Sequence, residues 1–139
     1  MREKESQVTK TVREAVARAA EKGEDLKVKV AEITREAVKK ALEKTEPTKE
    51  KVEAVARDAM QGVVQGAKQA KIKGEELTKN AVEGIIEGTK ESGKKAAELV
   101  REAAGATLEV AKKAGDKAAK TAKDVLKGLL ESIKKKKEE

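Results

Sequence analysis

Acid–base or nucleophilic chemistry would have to be done here by carboxylates and amines, because the chain contains no His, Cys or Tyr. That removes the imidazole base, the thiolate nucleophile and the commonest metal ligands. Carboxylates are plentiful, and pairs of them could in principle serve as acid and base. Their spacing argues otherwise. Glu21, Glu32, Glu36, Glu43, Asp58, Glu76, Glu87, Glu98, Glu102 and Glu109 recur so as to share the middle of one polar helix face. A solvated face gives a carboxylate no dry pocket in which its proton affinity could be tuned. Two glycine spacings, Gly62-x-x-x-Gly66 and Gly84-x-x-x-Gly88, lack the following Gly-Lys-Ser/Thr and the preceding strand of a phosphate loop. No catalytic residue, metal site or cofactor site is expected, and the chain reads as a non-enzyme without a small-molecule substrate.

The elements that place these charges come from a repeat. Val12-Arg13-Glu14-Ala15, Thr34-Arg35-Glu36-Ala37, Ala56-Arg57-Asp58-Ala59, Thr78-Lys79-Asn80-Ala81, Val100-Arg101-Glu102-Ala103 and Ala122-Lys123-Asp124-Val125 follow one another at 22 residues. Each such unit divides into two of 11 residues, and small or apolar positions stay in phase from Val8 by steps of 3, 4 and 4. Lys22 and Lys44 are the charged exceptions. Eleven residues in three turns is about 3.67 per turn, close to a straight α-helix. No alternation with period 2 is present, so strands are not expected. The fold class is all-α, built from long amphipathic helices.

On the helical wheel the repeat defines three zones. The apolar interaction face comprises Val8, Val12, Val16, Leu26, Val30, Ile33, Val52, Val55, Val63, Leu77, Ile85, Leu99, Val110, Val125, Leu129 and Ile133. Gly62, Gly66, Gly84 and Gly88 line one border of it, where small residues let another helix backbone approach. A basic flank follows through Arg13, Arg35, Arg57, Lys79, Arg101 and Lys123. Lys and Arg can lay their methylene stems along an apolar surface and lift the charge to its edge. The same spacing builds i,i+4 pairs such as Glu14–Arg18 and Glu36–Lys40, which support a helix with no partner present.

The apolar face is weak. With no aromatic residue anywhere in 139, the side chains that dominate buried area are missing, and Ala contributes little at ~25 cal/mol per Å². Pro47, the only proline, suits the first turn of a new helix capped by Thr45 or Glu46. One helix is therefore expected to end near Lys44 and another to start near Glu46, by a kink or a hairpin. Three regions follow: an N-terminal amphipathic helix region (1–44), a long repeat region (45–133) and a charged tail (134–139). The second region carries nine glycines, each costing about 0.8–1 kcal/mol against Ala in a helix. Either close helix packing offsets that cost, or the chain folds only on a surface, on dehydration or on assembly. The expected arrangement is elongated, a hairpin or a coiled-coil assembly.

The net charge is +7, and the tail Lys134-Lys135-Lys136-Lys137 would favour anionic surfaces, unless it is simply a solvated, frayed terminus. Nucleic acid is disfavoured as a partner, since there is no aromatic stacking platform and the acidic row repels phosphate. Met1–Gln7 holds no apolar run and no stretch is long enough to span a bilayer, so a cytoplasmic location is expected.

Segments such as Ala111-Lys112-Lys113-Ala114-Gly115-Asp116-Lys117-Ala118-Ala119-Lys120-Thr121-Ala122-Lys123-Asp124 resemble the 11-residue repeats of group 3 late embryogenesis abundant proteins. The basic-flank, acidic-centre wheel is similar to that of exchangeable apolipoproteins and perilipin-like droplet coats. The resemblance runs from about Val8 to Ile133 and implies a stress-protective or lipid-coating role, with lipid surfaces or client proteins as partners. The very regular register and the glycine border depart from those families and suit helix–helix packing. A self-assembling structural protein, forming a homo-oligomer, is the second expectation; nucleic-acid binding through the basic tail is the third.

Overall fold

The computed structural model describes residues 6–44 and 46–138, with side-chain surroundings through Leu129 and at Glu131. Among these residues there are seven α-helices and no strand: α1 (Gln7–Glu21), α2 (Leu26–Glu43), α3 (Lys49–Gln69), α4 (Thr78–Glu91), α5 (Lys94–Glu98), α6 (Val100–Ala114) and α7 (Asp116–Glu138). One 3₁₀ turn, Gly74–Glu76, precedes α4.

Local chemistry sets these boundaries. Ser6, Asp25 and Thr48 cap α1, α2 and α3, each side chain accepting from a backbone N–H in the first turn. Thr48 caps α3, in place of Glu46; Thr45, the other expected cap, lies outside the described residues. α1 ends in a Schellman motif: Glu24 N donates to Ala19 O at 3.1 Å, Gly23 N to Ala20 O at 3.1 Å, and Gly23 takes φ +69°. α3 ends the same way, with Ile72 N on Ala67 O at 2.8 Å and Lys71 N on Lys68 O at 3.1 Å. There the left-handed residue is Lys71, at φ 60°.

A single break near Pro47 therefore understates how often the chain turns. α1 and α2 already divide residues 7–43, and the region after Pro47 holds five helices. Two glycines expected inside a helix stop one instead: Gly93 and Gly115 have φ of +152° and +143°, values that L side chains rarely adopt. α7, the longest helix, has 23 residues, so no continuous elongated helix runs the length of the repeat. The last helix also continues through the expected tail, ending at Glu138.

The helices pack in two rows. α1 lies on α3 and α3 on α6; α2 lies on α4 and α4 on α7. The rows meet through α1 with α2, α2 with α3, α4 with α6 and α6 with α7. Each neighbour within a row is thus the second repeat along, not the next. The core between them is Val, Ala and a few larger side chains, of which Leu42, Met60, Ile85 and Ile86 are the largest fully buried.

Candidate functional site

The structure turns most of the expected interaction face inward. Val12, Val16, Val30, Val52, Val55, Val63, Leu77, Ile85 and Val110 are buried, while Val8, Leu26, Ile33, Leu99, Val125 and Leu129 are half-buried against the same core. The side chain of Ile133 lies outside the described residues. In α1 and α2 the centre of burial is shifted to one side of the uncharged row that starts at Val8. There that row passes through Val8, Ala15, Leu26, Ile33, Ala37 and Ala41, which are half-buried, and through Ala19 and Val30, which are buried. Beside that row Val12, Val16, Thr34 and Val38 are also fully covered. Val38, Leu42, Met60, Val82 and Ile86 are core residues that the row omits. Their signal was present in the sequence as a second in-phase row of larger aliphatic side chains beside the first.

The glycine border sits where two helix pairs approach most closely. A Cβ added at Gly62 in α3 would lie 2.6 Å from Val12 Cβ and 2.8 Å from the Thr9 carbonyl oxygen of α1; at Gly66 it would lie 2.8 Å from Val16 Cβ and 3.0 Å from Arg13 O. Twenty-two residues on, the geometry recurs between α4 and α2. A Cβ at Gly84 would collide with Thr34 Oγ1 and lie 2.5 Å from Ala31 O; at Gly88 it would lie 2.5 Å from Arg35 O and 3.0 Å from Val38 Cβ. Each contact of the first pair has a counterpart in the second, displaced by the sequence repeat. A backbone oxygen cannot move aside as a side-chain tip can, so these four positions admit hydrogen and little else.

Polar groups within this core are satisfied locally. Thr34, Thr89 and Thr107 donate from Oγ1 to the carbonyls of Val30, Ile85 and Ala103 at 2.7, 2.8 and 2.7 Å, the back-bonding pattern of a helix interior. Thr9 Oγ1 instead donates across the α1–α3 contact to Asp58 O at 2.9 Å. Among the described residues no buried side-chain nitrogen or oxygen lacks a partner, and no cluster of three His, Cys, Asp or Glu is placed to hold a metal. The groove between α2 and α4, lined by Glu32, Glu83 and Glu87 with Arg35 and Asn80, is open to solvent.

The expected basic flank divides into paired and exposed members. Arg35 Nη1 lies 3.6 Å from Glu91 Oε2, joining α2 to α4, and Lys39 reaches the other oxygen at 4.0 Å. Arg57 Nη2 lies 3.4 Å from Glu109 Oε2, joining α3 to α6. Arg13 is half-buried, and Lys79, Arg101 and Lys123 are exposed. At the start of α2, the Glu24 carboxylate accepts a hydrogen bond from Lys29 and, with Glu32, holds its ammonium above the ordinary lysine value. No protein-family model, curated protein or solved structure matches the chain. Among the described residues, no helix is long and apolar enough to cross a membrane.

Proposed function

We propose that this chain is a non-catalytic surface-coating protein, one that keeps an amphipathic face closed between its own helices and transfers it to lipid interfaces or exposed client surfaces. The observation that carries this reading is the make-up of the buried face. Among the described residues it runs through every long helix, yet it consists of Ala, Val, Thr and Gly with a few Leu, Ile and Met, and no aromatic side chain. At ~25 cal/mol per Å², such helices gain little from each other that an oil–water interface would not replace. Glycine-bearing turns at Gly23, Gly93 and Gly115 separate segments that can reorient without breaking helices. Exposed cations beside the face, such as Lys79 and Lys123, suit the polar boundary of an interfacial helix.

The test uses the absence of native Cys. Spin labels on Thr11→Cys and Gln65→Cys, exposed sites on the paired helices α1 and α3, report whether that pair stays closed. On triolein droplets coated with phosphatidylcholine the label separation should lengthen while helix content is kept or raised. Adsorption with an unchanged separation, or no adsorption together with no suppression of client aggregation, contradicts the reading.

A second reading, a structural protein assembled from helical repeats, draws on the recurrence of the Gly62/Gly66 contacts at Gly84/Gly88. It requires self-association of intact bundles. Sedimentation over a wide concentration range separates it from the first, which works as a monomer.

A further inference from the structure

We propose that α7 is the docking element for anionic lipid headgroups, the segment by which this protein first engages a phosphate-bearing membrane surface; this rests on the surface-coating reading above. The charge is concentrated there. The 23 residues of α7 carry eight basic and four acidic side chains, so about a sixth of the chain supplies four of its seven net positive charges. Within α7, Lys117, Lys120, Lys123 and Lys127 are exposed, and among the described residues none of them is in an ion pair. Elsewhere cations are more nearly offset by acids; α1 sets Lys10, Arg13 and Arg18 against Glu14 and Glu21.

The opposite side of α7 is apolar. Ala118, Ala122 and Leu126 are buried and Val125 and Leu129 half-buried, so one helix offers an aliphatic stripe with lysine stems beside it. At 23 residues it is roughly 35 Å long, enough to lie along several headgroups. It is also less firmly clasped than the helices before it. Gly128 stands two 22-residue steps after Gly84 in the sequence, yet a Cβ there would meet nothing within 4 Å. The α4–α7 contact is less extensive than α2–α4. Lipid phosphate is favoured over nucleic acid because α7 has no aromatic ring for stacking, whereas its aliphatic stripe, packed on α4 and α6 in the bundle, adds binding at an outside surface only where that surface has an apolar side.

The experiment compares the full chain with two triple variants that remove equal charge. One is Lys120→Gln, Lys123→Gln, Lys127→Gln on α7; the other is Lys10→Gln and Arg18→Gln on α1 with Lys22→Gln at its C-cap. All six sites are exposed, and helix content in buffer, read by circular dichroism, checks that each variant folds. Binding is measured on vesicles of phosphatidylcholine mixed with phosphatidylserine and on phosphatidylcholine alone. The α7 variant should bind the anionic vesicles about 100-fold more weakly, near fivefold per lysine, and the α1 variant far less so. Equal losses in both variants, or none in the α7 variant, overturn the assignment. So does binding to a short DNA duplex that is tighter than binding to the anionic vesicles at matched phosphate. Loss of the α7 assignment with neutral droplets still coated leaves the coating function intact; α7-dependent vesicle binding without droplet coating sinks that function and keeps the docking role.

Discussion

Gly84 and Gly128 occupy the same place in the repeat, two 22-residue steps apart, and their surroundings are opposite. Gly84 is pressed against the backbone of α2, whereas Gly128 faces open space. The same contrast separates the helices that carry them. α1 to α4 form two glycine-clasped pairs, α1 with α3 and α2 with α4, in which small residues let backbones touch. α6 and α7 keep the apolar pattern but lose the clasp, and they collect the positive charge. One sequence repeat thus yields two mechanical behaviours, because glycine contributes to packing only where a partner backbone lies over it. Elsewhere it remains a cost of about 0.8–1 kcal/mol per helix position.

Core truncation should separate the two regions most. Ile85→Ala in α4 removes a side chain with 0% exposure and should cost about 2–5 kcal/mol. Val125→Ala in α7 removes a half-buried one and should cost well under that range. Denaturant melts of the two variants give the comparison, and equal losses would erase the distinction between the regions.

Glycine substitution should reverse sign between them. Gly84→Ala places a methyl against Ala31 O and Thr34 Oγ1 and should destabilise by about 1–3 kcal/mol. Gly128→Ala, with nothing nearby, should stabilise by up to ~1 kcal/mol through helix propensity. A stabilising Gly84→Ala would mean that α2 and α4 do not approach as described. At the end of α3, Lys71→Gly should stabilise by roughly 1 kcal/mol by relieving a left-handed lysine, measured in the same melts.

Charge pairs should matter least. Arg57→Gln breaks the exposed contact with Glu109 and should cost under ~1 kcal/mol, less at high salt. Lys29 has its proton affinity raised by Glu24 and Glu32, so its contribution is fully present below the ordinary lysine range and is lost as pH rises through the folded value. A small loss of stability confined to strongly alkaline pH, absent in Lys29→Met, is the expected signature.

The all-helical class was legible because an uncharged row that holds phase at 3, 4 and 4 residues has no other regular use. The positions Gly62, Gly66, Gly84 and Gly88 stood out for their spacing, and the structure sets all four against backbone. What the spacing did not reveal was where the chain turns. Gly62 and Gly93 are the same residue type within one apparent pattern; one lies under Val12 and stays helical, the other ends α4 at positive φ. Which happens depends on the presence of a partner helix, a tertiary fact that one helix's periodicity does not contain. That the core of α1 and α2 extends past the expected Val12, Val16 and Val30 to Thr34, Val38 and Leu42 escaped for a related reason. Each turn restarts the helix, so a row drawn continuously from Val8 to Leu129 follows no single surface. The face read as open toward an outside partner is, in this structure, covered by the chain's own repeats.

Native-state hydrogen exchange on the full chain in buffer tests the division most directly, since it reads the opening free energy of each helix separately. Amides around Val12–Val16, Val38, Met60–Val63 and Ile85 in α1 to α4 are expected to be the most protected, and those of Ala118–Leu126 in α7 to exchange substantially faster. Equal protection across all the long helices, or a ranking with α7 the slowest, would contradict it.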